Sequence, residues 1–262
     1  MSGSKPPEAG EMTAEVAIVG AGVAGRSAGI FTARAGLDTL LIHGGDPILR
    51  RNAHLENYPG FPAGVNARLL LDLMREQAEN AGCRAVDGRV VEIGTPEDGS
   101  ESQADSEFIL TRKDGPDIRS DAVIAASWSD ASYLDGLPVE LDQRGSKRFV
   151  VCESDGRTTV DGLYAAGRIA GLPHQTVVAA GHGTQVALSV IEASDVPFYH
   201  DWVVPEGYFT ERDRDVPPGC EEIDNAEFRR REERARAVMR EAFTEPHPSK
   251  PKQHPSVADD QP

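Results

Sequence analysis

The sequence has no long hydrophobic run, since nowhere do apolar residues approach the roughly 20 that a helix needs to cross a bilayer. Its first 15 residues, MSGSKPPEAGEMTAE, also lack the apolar core of a secretory signal peptide. Both absences argue against a membrane protein and against export through a cleaved leader. We therefore expect a soluble protein that works in the cytoplasm.

Positive charge is scarce, because 27 Lys and Arg residues are set against 43 Asp and Glu residues and the formal net charge is −16 at pH 7. A surface that binds nucleic acid or an anionic membrane needs clustered positive charge, so neither partner is expected. Lysine is especially rare, with 5 residues against 22 arginines. An acidic surface poor in lysine suits a cytoplasm of concentrated salt, where screening removes self-repulsion, and it predicts a halophilic protein. An ordinary acidic protein is the alternative.

Cysteine is sparse as well, and Cys83, Cys152 and Cys220 are far apart and odd in number. No two of them are spaced as Cys-x-x-Cys, and no zinc-type spacing occurs. The sequence therefore supports neither a disulfide framework nor a metal site. We expect Cys152 to be a buried apolar side chain and Cys220 to lie in an exposed loop.

Hydrophobic residues make up 39% of the 262 residues, enough for a buried core in one large domain or two small ones. Short β-branched runs alternate with amphipathic stretches over most of the chain, which is typical of an α/β domain with parallel strands. The clearest helix runs over Ala67–Asn80, and Asn66 is expected to cap it. We divide the chain into a flexible leader (1–13), this domain (14–196), an extension (197–245) with a charged helix from Asn225 to Phe243, and a disordered tail (246–262).

The strongest motif is Gly20-Ala21-Gly22-Val23-Ala24-Gly25, which follows a strand over 15–19 and opens a helix. In a dinucleotide-binding fingerprint the first glycine allows a tight turn and the second lets the backbone approach a pyrophosphate. The third lets the helix pack closely on the strand. Free N–H groups at the helix N-terminus then face the phosphates. The alternative is a glycine-rich turn with a structural role only.

The acidic residue that usually follows this fingerprint by about 20 positions is missing. His43 stands at that position, and Asp46 lies just beyond it, from where its carboxylate could reach back. Because the usual carboxylate binds the ribose hydroxyls of the dinucleotide, its absence weakens the case for NAD and leaves FAD open.

Several further segments occur in the same order in the bacterial and archaeal thioredoxin reductases. They are Leu55–Pro62, Met74–Ala78, Asp121–Ser127, Tyr133–Pro138 and Thr158–Gly167, followed by Gln175 and by Ala179–Gly183. Over roughly residues 14–193 the chain therefore resembles the flavin-binding half of these enzymes, and its composition suggests a haloarchaeal type. The resemblance implies a single FAD/NAD(P)-binding Rossmann-like domain of three layers. Helices would cover one face of a parallel sheet, and a small antiparallel meander the other.

The resemblance also implies FAD-binding residues, while it assigns no catalytic residue and no metal ligand. They are Gly20, Gly22, Val23, Ala24, Gly25, His43, Asn57, Val90, Ala126, Gly167, Arg168, Gln175 and Thr176. Ala180-Gly181-His182-Gly183 opens a helix whose positive end would face the pyrimidine side of the flavin, unless its glycines serve close packing only. His174 and His182 are of the right type for proton delivery, although a histidine in a loop is more often structural.

Two departures from the thioredoxin reductases bear on function. In that family an NADPH domain with a Cys-x-x-Cys dithiol precedes the last flavin motif, whereas here 23 residues separate Pro138 from Gly162. A single βαβ unit takes about 30 residues, so the sequence predicts that this domain and its dithiol are absent. Arg168 stands where the family has an Asp that holds the ribityl chain. Either Arg168 meets the pyrophosphate as a charge-assisted donor, or flavin binding has been altered or lost.

Two functions are compatible with these observations. The first is an FAD-binding oxidoreductase that exchanges electrons with a separate redox protein or a small reductant. The second is a non-catalytic dinucleotide-binding or scaffold subunit derived from such an enzyme. Trp202 and Tyr208 of the extension are expected to cover an open flavin face or to anchor the extension. The charged helix could dock on the domain or on a second copy in a homodimer.

Overall fold

A computed structural model of the chain describes residues 12–96 and 108–253. The strands are β1 (Met12–Val19), β2 (Thr39–His43), β3 (Arg84–Asp87), β4 (Val90–Gly94), β5 (Phe108–Arg112), β6 (Ile118–Ala125), β7 (Leu141–Arg144), β8 (Lys147–Val150), β9 (Leu163–Ala165), β10 (Trp202–Pro205) and β11 (Cys220–Ile223). The α-helices are α1 (Val23–Arg34), α2 (Ala67–Asn80), α3 (Thr176–Ala193) and α4 (Asn225–Thr244). Short 3₁₀ helices cover Ile48–Arg51, Ser132–Leu134, Gly167–Ala170 and Thr210–Arg212. None of the helices in these two ranges has the length and apolarity to cross a membrane.

A seven-stranded sheet forms the centre of the molecule, and β3, β2, β1 and β6 run parallel in that order. β1 pairs along one edge of β6, while the other edge of β6 pairs first with antiparallel β5 and then with parallel β9. The register places Val19 beside Ile42 and Ala125, and Ala125 beside Ala165. The carboxyl ends of these strands therefore meet at one edge of the sheet, where open α/β sheets bind their ligands.

Each face of the parallel strands packs against a different layer. Ile18 and Leu41 belong to an apolar cluster with residues of α1 and α3. Val19 and Leu40, which point to the opposite face, belong to a second cluster with residues of the β4–β6 meander. Strands buried on both faces read as continuous apolar runs, as β1 and β2 do. The predicted α/β fold of three layers is thus confirmed.

The structure agrees with two local predictions, the N-cap of α2 and the close packing at Gly25. The Asn66 carboxamide oxygen accepts a hydrogen bond from the Arg68 N–H at 3.0 Å, and α2 covers the predicted range. Gly25 packs against β1, where a Cβ would overlap the carbonyl oxygen of Gly20. The N-cap of α2 and the packing role of Gly25 are therefore confirmed.

Other boundaries differ from the prediction because a distant partner sets them. Met12 and Thr13 pair with Ile118 and Arg119 of β6, so the end of the predicted leader belongs to the sheet. The same pairing extends β6 towards its N-terminus. Likewise α3 is longer than predicted and begins at Thr176. The acidic, glycine-containing composition of residues 95–105 predicts a surface turn, and most of this segment lies outside the described residues.

The extension contains structure that its sequence did not predict. β10 and β11 form a separate parallel pair. The chain between them wraps around the Glu222 carboxylate, which accepts hydrogen bonds from the N–H groups of Gly207 and Thr210, each at 3.0 Å, and of Phe209. α4 follows as predicted, capped by Asp224, and none of its residues is buried.

The prediction of a disordered tail differs from the structure over residues 246–253. Here the His247 Nε2 lies 2.9 Å from the Asp72 Oδ2, and Lys252 forms an ion pair with Asp46. Both partners are far away in sequence, so composition alone could not reveal these contacts. The rest of the predicted tail, 254–262, and residues 1–11 of the leader lie outside the described residues.

Candidate functional site

A cavity of about 700 Å³ opens at the carboxyl ends of β1, β2 and β6. The first turn of α1 and most of the loop over 44–51 form part of its walls. The rest comes from the segment 126–133 after β6 and from residues 168 and 174–179, which lie around the start of α3. Nine residues predicted to bind FAD line it: Gly20, Gly22, Val23, Ala24, Val90, Ala126, Arg168, Gln175 and Thr176. Residues from opposite ends of the domain are thus brought to one cavity, whose volume is in the range of cofactor sites.

The glycine turn shapes the floor of the cavity. Gly20 has a φ of +120°, and a Cβ there would lie 2.6 Å from the carbonyl oxygen of Ala126, so only glycine fits. Gly22 is different, because a Cβ at this position would meet no protein atom within 4 Å. Gly22 is also the N-cap of α1, and no side chain caps the helix. The N-terminus of α1, with its partial positive charge, therefore opens into the cavity.

Two of the predicted residues pack behind this wall instead of lining it, namely Gly25 and Gly167. A Cβ at Gly167 would lie 2.7 Å from the Cβ of Ala24, so glycine lets this turn approach α1. The Gly167 N–H donates to the Nδ1 of His182 at 2.9 Å. Burial lowers the pKa of His182, which agrees with a neutral ring that accepts this bond. His182 thus links α3 to the turn and does not line the cavity.

His43 and Asn57 also lie outside the cavity lining. The His43 Nδ1 is 3.0 Å from the Asp87 Oδ1, so the ring faces β3 and not the cavity. The Asn57 Nδ2 donates to the Gln175 Oε1 at 3.0 Å. Asn57 therefore acts on the cavity through Gln175, which does line it.

Arg168 brings a positive charge to the cavity, and among the described residues no carboxylate pairs with it. Its Nη1 donates to the carbonyl oxygen of Leu172 at 2.7 Å, while its Nε is buried and has no hydrogen-bond partner in that part of the chain. The guanidinium carbon lies 4.8 Å from the ring centre of Phe149 and 5.7 Å from that of Trp128. Stacking thus holds the guanidinium in place, and one of its donors remains unsatisfied.

His174 is the histidine that lines the cavity. Its ring meets the Trp128 ring edge-on, with centroids 4.6 Å apart. Burial lowers the pKa of His174, and the charge of Arg168 lowers it further. The imidazole is therefore neutral near pH 7, with a polar edge at the cavity.

Sequence analysis missed several residues of the wall. Arg89 forms an ion pair with Asp130 at 3.1 Å, and the Tyr133 hydroxyl lies 2.9 Å from the Ser127 hydroxyl. Burial raises the pKa of Tyr133 well above its usual range, so it stays protonated. The segment 126–133 follows the carboxyl end of β6, and this position was the signal that could have identified it.

Trp202 and Tyr208, which were expected to cover a flavin face, do not line the cavity. Trp202 lines a separate groove with Phe31 and Leu188, near the C-terminal ends of α1 and α3. The Trp202 and Tyr208 rings pack edge-on at 5.5 Å. Trp202 therefore lies at the opposite end of the two helices from the cavity, and the expectation that Trp202 and Tyr208 cover the ligand was wrong. Their other expected role, to anchor the extension, stays a prediction.

The three cysteines are free, and none of them lines the cavity. Burial raises the pKa of Cys83 to about 11 and also raises that of Cys152, so neither thiol is activated. Cys220 lies beside the carbonyl oxygen of His200 in the extension. Within residues 12–96 and 108–253, no group of three or more His, Cys, Asp or Glu side chains is placed to hold a metal ion.

Known proteins were compared with this chain by sequence and by structure. No family model matches the chain. The thioredoxin reductase of Rickettsia bellii (strain RML369-C) is 31% identical over 148 residues, which cover 56% of this chain and 45% of that protein. The thioredoxin reductase of Aquifex aeolicus (strain VF5) is 37% identical over 115 residues, which cover 43% of this chain and 33% of that protein. The chain therefore spans less than half the length of these curated relatives.

The solved structures show the same likeness in the fold. The thioredoxin reductase of Lactococcus lactis, in its FR conformation, superposes with a TM-score of 0.59 at 15% sequence identity. The match covers 68% of this chain and 98% of that one. In sequence over about half its length, and in the fold of its α/β domain, this chain is similar to the thioredoxin reductases.

Proposed function

We propose that the chain binds FAD in the 700 Å³ cavity and acts as a flavoprotein oxidoreductase. The observation that carries this proposal is the convergence of two distant motifs. The glycine turn at α1 and the segment from Arg168 to Thr176 contribute to the same cavity. Both are among the segments in which the resemblance to thioredoxin reductases predicts flavin-binding residues.

The residues present fit the diphosphate of a dinucleotide. The open space at Gly22 leaves room for a ligand at the N-terminus of α1, where N–H groups and the helix dipole favour negative charge. Arg168 adds a second positive group, because it lines the cavity and its guanidinium has no carboxylate partner among the described residues, so a phosphate would pair with it. Of the two interpretations of Arg168, this geometry favours the charge-assisted donor.

Other residues of the chain would orient the remainder of the ligand. The hydrogen bond from Asn57 holds the carboxamide of Gln175 at the cavity. The Trp128 ring, which His174 meets edge-on, provides an aromatic wall. When bound, the flavin accepts and releases electrons, and the protein supplies its orientation and surroundings.

We infer that electrons reach this site from a separate redox protein or a small reductant. Between Pro138 and Gly162 the chain forms the β7–β8 hairpin, in the place where the thioredoxin reductases carry an NADPH domain. Its cysteines are free and have no Cys-x-x-Cys spacing. Both features support a flavoprotein that depends on another donor.

The absorbance spectrum of the purified chain tests FAD binding. We expect one FAD per chain, either co-purified or added. Gly22→Leu should abolish binding, because its side chain would occupy the space left for the diphosphate. Gly94→Leu is the matched control, since a Cβ there also meets no atom within 4 Å but Gly94 does not line the cavity. A colourless parent that ignores added FAD overturns the proposal, and a Gly22→Leu variant that binds normally overturns the placement.

Anaerobic stopped-flow mixing of the FAD-loaded chain tests the source of electrons. NADPH, NADH, reduced ferredoxin and a reduced deazaflavin would each be offered, and the flavin absorbance followed. We expect slow bleaching by NADPH and fast bleaching by one of the last two donors. Fast bleaching by NADPH, followed by reduction of thioredoxin, would contradict this part of the proposal.

A further inference from the structure

The chain after α4 returns to the cavity described above. We call residues 245–253 the C-terminal strap. His247 of the strap contacts Asp72 of α2, with 2.9 Å between Nε2 and Oδ2. Lys252, near its end, forms an ion pair with Asp46, and Asp46 lines the cavity. The strap thus connects α2 to the loop over 44–51, which forms one cavity wall.

Arg50 ties the two contacts of the strap into one network. Its Nη2 lies 3.0 Å from the Asp72 Oδ1, and its Nε lies 3.5 Å from the Asp46 Oδ1. Each carboxylate therefore binds Arg50 through one oxygen and a strap residue, His247 or Lys252, through the other. Within the described residues, loss of either strap contact leaves Asp46, which lines the cavity, or Asp72 on α2 with Arg50 as its remaining ion-pair partner.

The centre of this network is shielded from water. The His247 side chain is 8% exposed, that of Arg50 24% and that of Asp72 33%. The charges of Arg50 and Asp72 at such positions interact more strongly than those of a fully exposed pair and are screened less by salt. Lys252 is 67% exposed, so its ion pair with Asp46 is the weaker of the two contacts.

Two further features hold the strap in place. At the end of α4 the Phe243 ring lies 6.2 Å from the Phe61 ring, in the loop that follows the cavity wall. The strap itself carries Pro246, Pro248 and Pro251, which restrict the backbone. A chain with little freedom when unbound loses less entropy when it is fixed.

We propose that the C-terminal strap is part of the ligand site, with His247 and Lys252 as positioning residues. Through Asp72, Arg50 and Asp46 they hold the loop over 44–51 against the cavity. Release of the strap would free this wall and speed ligand exchange. The proposal rests on the proposed function only for the identity of the ligand, because the contacts that define the strap lie within the protein.

Hydrogen exchange of the ligand-free chain tests the first step without any ligand. Lys252→Ala and His247→Ala should each increase exchange over residues 44–54, while the core strands keep their protection. Lys250→Ala is the matched control, since Lys250 forms no ion pair within the described residues. A chain that ends at Glu245 should show the largest increase, and one that ends at Gln253 should show none. Unchanged exchange in both point variants and in the shorter chain would overturn the proposal.

The dissociation rate of FAD tests the second step. We expect about a two- to fivefold faster release from Lys252→Ala, as for loss of one exposed ion pair. His247→Ala should give about a tenfold increase, because its contact is shielded. The conservative variant Lys252→Arg should rescue the parental rate if the contact itself positions the wall, because its guanidinium can still pair with Asp46 while the Asp46–Arg50 contact is kept. A purely structural role would lower the melting temperature without such rescue.

The two proposals fail in different ways. If the parent binds FAD and the strap variants release it at the parental rate, the strap proposal is wrong and the proposed function stands. If the parent binds no FAD, the proposed function is wrong, and the hydrogen exchange results still decide on the strap.

Discussion

Different interactions stabilise the α/β domain and the extension. In the domain, apolar clusters on both faces of the sheet bury side chains such as Phe108 and Ile18 completely. Among the described residues from 197 onward, Val204 and Phe209 are the only buried apolar side chains. The extension depends instead on ion pairs and hydrogen bonds, such as the pair that joins Arg34 of α1 to Asp201.

This difference decides how each region responds to its surroundings. The stabilisation from hydrophobic burial depends on the apolar area removed from water and hardly on pH. Carboxylate contacts depend on the protonation state of the acid, and exposed ion pairs weaken as salt screens them. We therefore expect the extension to detach before the domain unfolds as the pH falls.

A matched pair of phenylalanine variants gives the largest expected contrast. Phe108 is fully buried in the domain, so Phe108→Ala should lower the free energy of unfolding by about 3–5 kcal/mol. Phe228 on α4 is 53% exposed, and Phe228→Ala should change the free energy of unfolding by less than about 0.5 kcal/mol. Urea unfolding followed by circular dichroism measures both. Equal losses would show that the extension shares the core of the domain.

Salt should act on the whole chain in the direction set by its net charge of −16. Screening removes repulsion among the acidic residues, so the melting temperature should rise steadily between dilute and molar potassium chloride. A calorimetric series in this salt measures the shift. A flat response would remove the proposal that the acidic, lysine-poor composition is an adaptation to salt.

Glu222 should give the smallest and most local effect. Partial desolvation opposes ionisation of this carboxyl, but the N–H groups of Phe209 and Thr210 outweigh it and lower the pKa of Glu222 to about 2. Because the folded pKa is below its ordinary value of 4.5, the stabilisation is present above about pH 4.5 and is lost as the pH falls towards 2.

The test compares Glu222→Gln with the parent by hydrogen exchange of residues 202–223. The parent should lose protection there as the pH is lowered from 5 to about 2, after correction for intrinsic exchange. Glu222→Gln should already lack it at pH 5, whereas Glu206→Gln, an exposed neighbour, should behave as the parent. Identical profiles in all three proteins would show that the Glu222 contacts do not hold this turn.

Short-range patterns were sufficient for much of the domain. The Asn66 cap and the apolar positions that follow it are within one helix, so the bounds of α2 could be predicted. The glycine turn was recognisable because the strand before it and the helix after it are contiguous in sequence. The cavity forms where open α/β sheets generally bind ligands, at the carboxyl ends of the parallel strands.

Side-chain direction in the candidate site could not be predicted in this way. Nothing in the sequence around His43 shows that its ring faces Asp87. Nor does the sequence show that Arg168 stacks on Phe149 and keeps an unsatisfied Nε. Each of these directions depends on a partner contributed by another strand or loop.

By itself the sequence determined the α/β alternation, the glycine turn and the helix caps, because each of these depends on neighbours a few residues away. Tertiary structure alone decided the pairing of β10 with β11 and the return of the strap from α4 to Asp72 and Asp46. The carboxylates in those contacts are ordinary acidic residues in a chain with many of them. Only the packed domain selects which acidic residue a given base meets, because burial fixes the distance between them.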